Sequence, residues 1–583
     1  MRLTLRHSSL DRVQRRSSAF VLASLGLLLM ALAVRLIYIS IGLGPRLLTM
    51  AERQHRGQSV IPARRGMIFD ARGRIVALSQ EAPDVFVDPA WIDDIDSLTA
   101  QLSPRVNVPE SEIAGKIRAR AASRFVPIAS RVDPVTADAV KALGLPGVGL
   151  IQRPQRIYPL GASLGQVLGW VGRDGNGMGG LELQYDQHLA GRNGRRATIR
   201  DARRRALERS LQGSQPPVDG GHVVLTIDAV VQRIAEEALA RSVEHFEAES
   251  GVAIVMSPSN GDVLAMACVP TFNPNRPFTP QTAWLRRNRA VTDPVEPGST
   301  FKPFVASGAL EGGFVSTTEK IDCQMGSHRF GRRLVTDTKP NGPLDLRGII
   351  TKSSNIGMGF IAHRMGNEVL YDTVRRFGFG ERTGIEYPGE SSGVVYPLHR
   401  WTSYSTNSIP IGYEVLVTPL QLIRGFAAIV NDGVLVQPRL IRKLLGPDGQ
   451  DLEQSDWPRM GRQVMAPDLA RYMSREILVS VVEEGGGRGA RTGPYRVLGK
   501  TGTAKLTPPG ARGYEAGAYL GLFVGAAPVD NPRIVVLAMV RRPNPAKGYY
   551  GGKVAAPVVG EIITKTLPYL EVPPDEPVGI TDL

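Results

Sequence analysis

The sequence predicts an α/β (α+β) protein: an exported domain with a central antiparallel sheet flanked by helices, preceded by a strand-rich pedestal and one transmembrane helix. Three observations predict it. An uncharged, mostly apolar stretch runs from Ser17 to Val34. Short apolar runs then alternate with turn signals, and strand-like runs stand at both ends of the remaining chain with helical periodicity between them.

At 583 residues the chain is too long for one core, because domains run to roughly 100–200 residues. The expected division is 1–16 cytoplasmic tail, 17–43 anchor, 46–215 pedestal, 220–575 main α/β domain and 576–583 C-terminal tail. The apolar stretch resumes after Arg35 with Leu36, Ile37, Tyr38 and Ile39; a membrane-spanning helix needs about 20 residues. Arg2, Arg6, Arg12, Arg15 and Arg16 precede it against the single acid Asp11. The positive-inside rule therefore keeps the amino terminus in the cytoplasm and puts the rest outside. A cleaved signal peptide is the alternative, since Ala31-Leu32-Ala33 resembles a cleavage site. Cleavage there leaves a terminus of further apolar residues, which an uncleaved anchor uses.

In the pedestal, Arg65-Gly66-Met67-Ile68-Phe69-Asp70 and Tyr158-Pro159-Leu160-Gly161 exemplify short runs between turns, with few helices expected. Gln212 to Pro217 reads as a linker, Val223 to Ile227 as a strand, and Asp228 as the cap of a helix through Val230 to Leu239. Gly251–Met256 and Asp262–Met266 form a hairpin signal around Ser257 to Gly261. Leu520–Gly525 and Arg533–Val540 are a second strand pair, followed by a helix over Val554–Leu567.

The formal charge of +15 favours anionic surfaces. The basic residues lie in short clusters (Arg12, Arg15, Arg16; Arg195, Arg196; Arg203, Arg204, Arg205) and on no nucleic-acid motif, so no nucleic-acid partner is expected. Cys268 and Cys323 are the only cysteines, which excludes a CxxC metal pair and leaves at most one disulfide. No HExxH pair exists among the eight histidines, so neither a metal nor a cofactor is expected.

Three motifs follow in order: Ser299-Thr300-Phe301-Lys302, Ser353-Ser354-Asn355 and Lys500-Thr501-Gly502-Thr503. Alone, each is weak: a surface helix start, a loop or cap, and a strand with a glycine at a close approach. Their order within one domain is what carries information. A serine hydroxyl is a poor nucleophile until a base takes its proton. If Ser299 opens a helix after Pro297-Gly298, Lys302 lies on the same face at i+3, and Pro303 suits a first helical turn. To act as base, Lys302 must be neutral, through burial or a second cation such as Lys500.

The triple set resembles the penicillin-interacting serine enzymes. Val295 to Pro303, Leu225-Thr226-Ile227-Asp228 with Gln232, and Val417 to Leu422 look like a class B penicillin-binding protein. Arg65 to Asp70, Arg156-Ile157-Tyr158-Pro159 and Gly180-Leu181-Glu182 are similar to that class's pedestal, or dimerisation, motifs. Tyr549-Tyr550-Gly551-Gly552 with Ala555-Ala556-Pro557 resembles the septal transpeptidases.

The resemblance implies a peptidoglycan D,D-transpeptidase, cross-linking stem peptides in septal wall synthesis and acylated by β-lactams. Ser299 is then the nucleophile, Lys302 the proton acceptor and Ser353 the proton relay beside Lys500. Asn355 orients the substrate amide, and Thr501, Gly502 and Thr503 bind substrate, the two threonines gripping its terminal carboxylate. The Ser299 and Thr503 backbone N–H groups form the oxyanion hole, a contact worth about 3–4 kcal/mol in related chemistry. Implied partners are donor and acceptor stem peptides, β-lactams, the membrane, a SEDS-family glycosyltransferase and other divisome membrane proteins. The implied location is the cytoplasmic (inner) membrane, single-pass, with the catalytic domain on the outer (periplasmic) side. Gln166, Gly179 and Glu414 depart from the class pattern, at pedestal packing and at the cleft rim. The alternatives are a D,D-carboxypeptidase, a lateral-wall transpeptidase, and a non-enzymatic wall-assembly scaffold. A β-lactamase or β-lactam sensor needs no such pedestal, and no glycosyltransferase motif marks a bifunctional enzyme.

Overall fold

The computed structural model describes residues 10–43, 46, 56–200, 206–276, 278–452, 461–508, 510 and 513–575. The expected C-terminal tail, most of the cytoplasmic tail and the Arg203-Arg204-Arg205 cluster lie outside the described residues. The chain divides into two compact units, Met1–Ala63 with Arg192–Val218, and Arg64–Gly191 with Asp219–Leu583.

The first unit holds the helix Leu10–Ile37, continued by a π-helical turn Tyr38–Leu43. Within Gln14–Gly42 an 18-residue stretch has a mean hydropathy of 2.4 and none of it is buried within the protein, so the helix is long and apolar enough to cross a membrane. Its backbone polar groups are satisfied internally, which lipid requires. Beyond it, Arg56–Ile61, Gly194–Arg200 and Ala206–Gln215 form an antiparallel three-stranded sheet. This corrects the reading of Gln212 onward as linker. Gln215 pairs with Arg195 across that sheet, and backbone pairing does not depend on the Gly/Ser/Gln composition that suggested a loop.

In the second unit, a mixed sheet is built around the long strand Ile75–Val87, which pairs with Ile68–Phe69, Val126–Ala129 and Val148–Ile157. His222–Leu225 adds in parallel to Ile68–Phe69. The helices Ile95–Val106, Glu110–Ala119 and Pro134–Ala142 pack Leu102, Ile113 and Val140 onto Val85 and Val87. These helices exceed the few expected. Asp94 and Asp133 cap the first and last of them, signals that stand outside any strand alternation.

The pedestal motifs meet at one buried carboxylate. Glu182 accepts from Arg65 Nε at 2.7 Å, from Arg156 Nε at 2.7 Å and from the Tyr158 hydroxyl at 3.3 Å. Two departures are explained by packing. Gln166 is buried, donating to the carbonyls of Pro270 and Leu285 and accepting from Thr271 Oγ1. A Cβ on Gly179 would come within 2.3 Å of the Trp170 ring, which leaves no room for the acidic residue common there.

The catalytic core of this unit is a five-stranded antiparallel sheet in the order Val263–Val269, Ser250–Met256, Ile534–Arg541, Tyr519–Ala527, Leu498–Lys505. The expected hairpin and strand pair are its first four strands. Their near-continuous apolar runs follow from burial on both faces. Along Tyr519–Ala527, Leu522 and Val524 face one core with Phe304 and Phe426, whereas Phe523 faces the other with Leu239 and Ile562. The second face is covered by Ala229–His245, capped by Asp228 at the Val230 N–H, and by Ala556–Tyr569. Leu498–Lys505 is left as an open edge.

Candidate active site

Ser299 lies in a 3-10 turn, Gly298–Phe301, that runs into the helix Lys302–Glu311 with Pro303 in its first turn. Two glycines seat this turn against the edge strand. Gly298 has φ +56°, and a Cβ there would meet the Thr503 carbonyl oxygen at 2.8 Å. A Cβ on Gly502 would meet the Pro297 oxygen at 2.8 Å, so the glycine of Lys-Thr-Gly-Thr is a close-approach residue as expected.

Lys302 and Lys500 are both fully buried. Lys302 Nζ donates to the Ser353 carbonyl at 2.6 Å and to Asn355 Oδ1 at 2.8 Å, and lies 3.1 Å from Ser353 Oγ. Lys500 Nζ is also 3.1 Å from Ser353 Oγ. One hydroxyl thus stands between two amines, able to donate to one while accepting from the other. No hydrogen bond joins Lys302 to the Ser299 hydroxyl, because the amine is turned toward the Ser353-Ser354-Asn355 motif. Catalytic hydrogen bonds often close only with substrate bound.

Burial, and then the neighbouring Lys500 charge, pushes the Lys302 amine well below the ordinary lysine range; Asp337 opposes them. Burial alone brings Lys500 down to about 7. Three acceptors around Lys302 favour an ammonium, whereas burial and a like charge favour the amine. The second influence dominates here, since no carboxylate contacts the nitrogen directly.

Ser353 is held at φ +57°, a left-handed conformation costing about 1 kcal/mol or more for a non-glycine residue. It sits between the helices Leu346–Thr351 and Asn355–Arg376. Asp337 fixes this junction. Its Oδ1 accepts from the N–H groups of Asn355 at 2.6 Å and Ile356 at 3.1 Å, and its Oδ2 from Ser354 Oγ at 2.6 Å and Asn341 Nδ2 at 3.0 Å. An acid at a helix N-terminus is well placed electrostatically. No motif flagged Asp337, because the helix end it caps lies past the intervening helix Leu346–Thr351 in sequence. Asn355 Nδ2 also donates to the Thr336 carbonyl at 2.8 Å.

The cleft has a volume of about 1080 Å³ and brings together Ser299, Ser353, Asn355, Thr501, Gly502 and Thr503. Lys302 and Lys500 lie behind it. Thr503 Oγ1 accepts from the Gly551 N–H at 3.1 Å, and a Cβ on Gly551 would strike the Leu522 and Gly502 carbonyls. The Tyr-Tyr-Gly-Gly segment is thereby joined to the edge strand. Tyr549 stacks on Tyr519 with ring centroids 3.9 Å apart, a cleft wall that sequence reading missed. Glu414 occupies a left-handed position, φ +60°, held by its own N–H on Glu296 and by the Ser405 hydroxyl on its carboxylate. Cys268 and Cys323 are both free and buried. Among the described residues no cluster of His, Cys, Asp or Glu could hold a metal ion.

Residues 251–564 match the penicillin binding protein transpeptidase domain, and residues 60–225 match the penicillin-binding protein dimerisation domain. The chain is 32% identical over 564 residues to the probable peptidoglycan D,D-transpeptidase PenA of Neisseria meningitidis, covering 96% of this chain and 94% of that one. It is 33% identical over 518 residues to the peptidoglycan D,D-transpeptidase FtsI of Escherichia coli, covering 88% and 84%. Among solved structures, penicillin binding protein 3 of Mycobacterium tuberculosis complexed with aztreonam superposes with a TM-score of 0.69 at 29% identity, over 89% of this chain and 99% of that one. A serine turn docked on the edge strand, two buried lysines sharing one hydroxyl, and these matches along nearly the whole chain place it in the class B penicillin-binding proteins, within the FtsI family.

Proposed function

We propose that the chain is a serine D,D-transpeptidase that cross-links peptidoglycan stem peptides and is acylated by β-lactams. The observation that carries this reading is the Ser353 hydroxyl, 3.1 Å from each of two buried amines, in the cleft that holds Ser299. Ser299 Oγ attacks the carbonyl of the penultimate D-Ala while its proton passes to Lys302. The developing oxyanion takes the backbone N–H groups of Ser299 and Thr503. As the C–N bond breaks, the proton moves through Ser353 to the departing D-Ala amine, with Lys500 keeping that side positive. Thr501 and Thr503, on either side of Gly502, grip the terminal carboxylate, and Asn355 Nδ2 is the donor facing the substrate amide. An acceptor amine then attacks the acyl ester, returning the proton to Ser299 along the same route.

The Tyr549-Tyr550-Gly551-Gly552 loop and the FtsI likeness favour septal work. The anchor's charge pattern supports a catalytic unit outside the cytoplasmic membrane, and the family likeness supports a SEDS-family glycosyltransferase and other divisome membrane proteins as partners. The boundaries expected from sequence, 46–215 and 220–575, are retained as functional divisions.

Fluorescent penicillin labelling tests the chemistry: wild type labels and Ser299→Ala does not. Equal labelling of both would sink the nucleophile. Cross-linked muropeptides that disappear in Ser299→Ala cells distinguish transpeptidation from carboxypeptidation, which alters only trimmed peptides. A tagged copy that stains the sidewall uniformly would overturn the septal assignment.

A further inference from the structure

The cleft that holds Ser299 is more positive than its reaction with one donor requires. Its lining contains Lys339, Lys352, Arg488 and Lys505, against the carboxylates of Asp337 and Glu484. Both acids are already engaged. Asp337 accepts four hydrogen bonds at the helix junction, and Glu484 is clasped by Nη1 and Nη2 of the Arg347 guanidinium. Lys352 is exposed and has no carboxylate partner among the described residues. Arg488 is exposed too, and its guanidinium donates to one backbone carbonyl, that of Glu484, at 3.2 Å.

These two cations share one end of the cleft. A Cβ on Gly485 would lie 2.6 Å from the Thr351 carbonyl oxygen, so the Glu484-to-Arg488 turn lies against the residue preceding Lys352. At Gly486 the nearest atom to an added Cβ is Thr501 Oγ1, at 3.9 Å. The glycine turn and its flanking cations thus continue the cleft past Thr501, leaving an open backbone surface beside it. The volume, about 1080 Å³, stands at the upper end of the roughly 300–1,000 Å³ of single-ligand pockets.

On the transpeptidase reading, on which this inference rests, the leaving D-Ala sits at the Thr501 end. Microscopic reversibility brings the attacking amine in where the leaving amine departed. We infer that Lys352 and Arg488 form an acceptor subsite, seating an acidic peptide strand by its carboxylates while its amine reaches the acyl-enzyme. Stem peptides carry free carboxylates, and opposed charge of this kind raises encounter rate and orients a strand. Lys339 and Lys505 lie outside this assignment.

The test uses the full-length protein in detergent, a D-alanyl thioester donor, and a stem tripeptide acceptor with its carboxylates either free or amidated. The readout is the ratio of cross-linked to hydrolysed product from one acyl-enzyme pool, which does not depend on how fast that pool forms. In the double variant Lys352→Gln/Arg488→Gln, the ratio at subsaturating free-acid acceptor falls by about tenfold, the scale of two exposed charge contacts. Higher acceptor concentration restores it. The charge-retaining Lys352→Arg/Arg488→Lys stays near wild type, and the amidated acceptor brings wild type down to the double variant. An unchanged ratio in the double variant, or a fall from wild type to double variant that is as large with the amidated acceptor as with the free acid, overturns the subsite. Binding of polyglycerol phosphate that depends on both cations, with no effect of acceptor charge, overturns it in favour of an anionic wall polymer. Absence of any thioester turnover by the wild type removes the transpeptidase reading itself and the subsite with it.

Discussion

Two of the places where the second unit buries charge do so on opposite terms. Around Glu182, Arg65 and Arg156 share a carboxylate, and Arg65 also pairs with Asp186 at 2.6 Å. Burial works against the Arg65 charge, and Glu182 with Asp186 more than offsets it, leaving that guanidinium more firmly protonated than usual. Around Ser353, two lysines are buried with a shared hydroxyl and no carboxylate in contact. Both are pushed down instead. Paired burial maintains a shape, whereas unpaired burial of like charges makes a base. Mutations at the first place should therefore register as stability, and at the second as chemistry.

The largest effect is expected from Lys302→Met. Loss of a positioned base slows β-lactam acylation by about 10²–10⁴-fold, while the thermal midpoint holds or rises because a buried amine becomes apolar. A variant that acylates normally would remove the contrast. Glu182→Ala does the reverse. Leaving Arg65 and Arg156 without their carboxylate costs about 3–5 kcal/mol of stability, read as a fall in denaturant midpoint, with the acylation rate of the remaining folded protein unaltered.

Third, the two places differ in pH dependence. Below about pH 7 the folded and unfolded forms both carry the Lys500 proton, and the full cost of burying it is present. Between there and about 10.4, the ordinary lysine value, the unfolded chain keeps a proton the folded chain has released. Unfolding free energy therefore rises with pH, by at most about 1.4 kcal/mol per unit. Denaturation at pH 7 and pH 9 should show that slope reduced in Lys500→Met and retained in Glu182→Ala; equal slopes in both would be the contrary result.

The smallest effect is at Asp337→Asn. It weakens the capping of the Asn355–Arg376 helix by about 1 kcal/mol. It also removes the acid that opposes the fall in the Lys302 pKa, so the acid limb of the acylation–pH profile moves to lower pH. A limb that moves up, or stays, would show that Asp337 acts on the fold alone.

Legibility divided along the same line. Ser299 and Lys302 were readable because their relation is local, set by one helical turn. The first four strands of the central sheet were readable because burial on both faces writes continuous apolar runs. The pedestal helices were hidden among short runs, and Gln212 to Gln215 read as linker because strand pairing uses backbone groups that carry no residue signature. Gln166, Gly179 and Glu414 were visible only as departures. What each does depends on the Pro270 carbonyl and the Glu296 carboxylate, both distant in sequence, and on the Trp170 ring across a hairpin from Gly179.

By itself the sequence determined the apolar span, the alternation of strands and helices, and the order of the three motifs, because periodicity and local spacing are properties of the chain. Only the tertiary structure decided that Lys302 points to Ser353 and Asn355, that Asp337 holds their junction, and that Lys352 and Arg488 stand past Thr501 with no carboxylate partner among the described residues. Those relations depend on burial and on contacts across long separations, and a pKa or an unpaired charge exists only once the surroundings are in place.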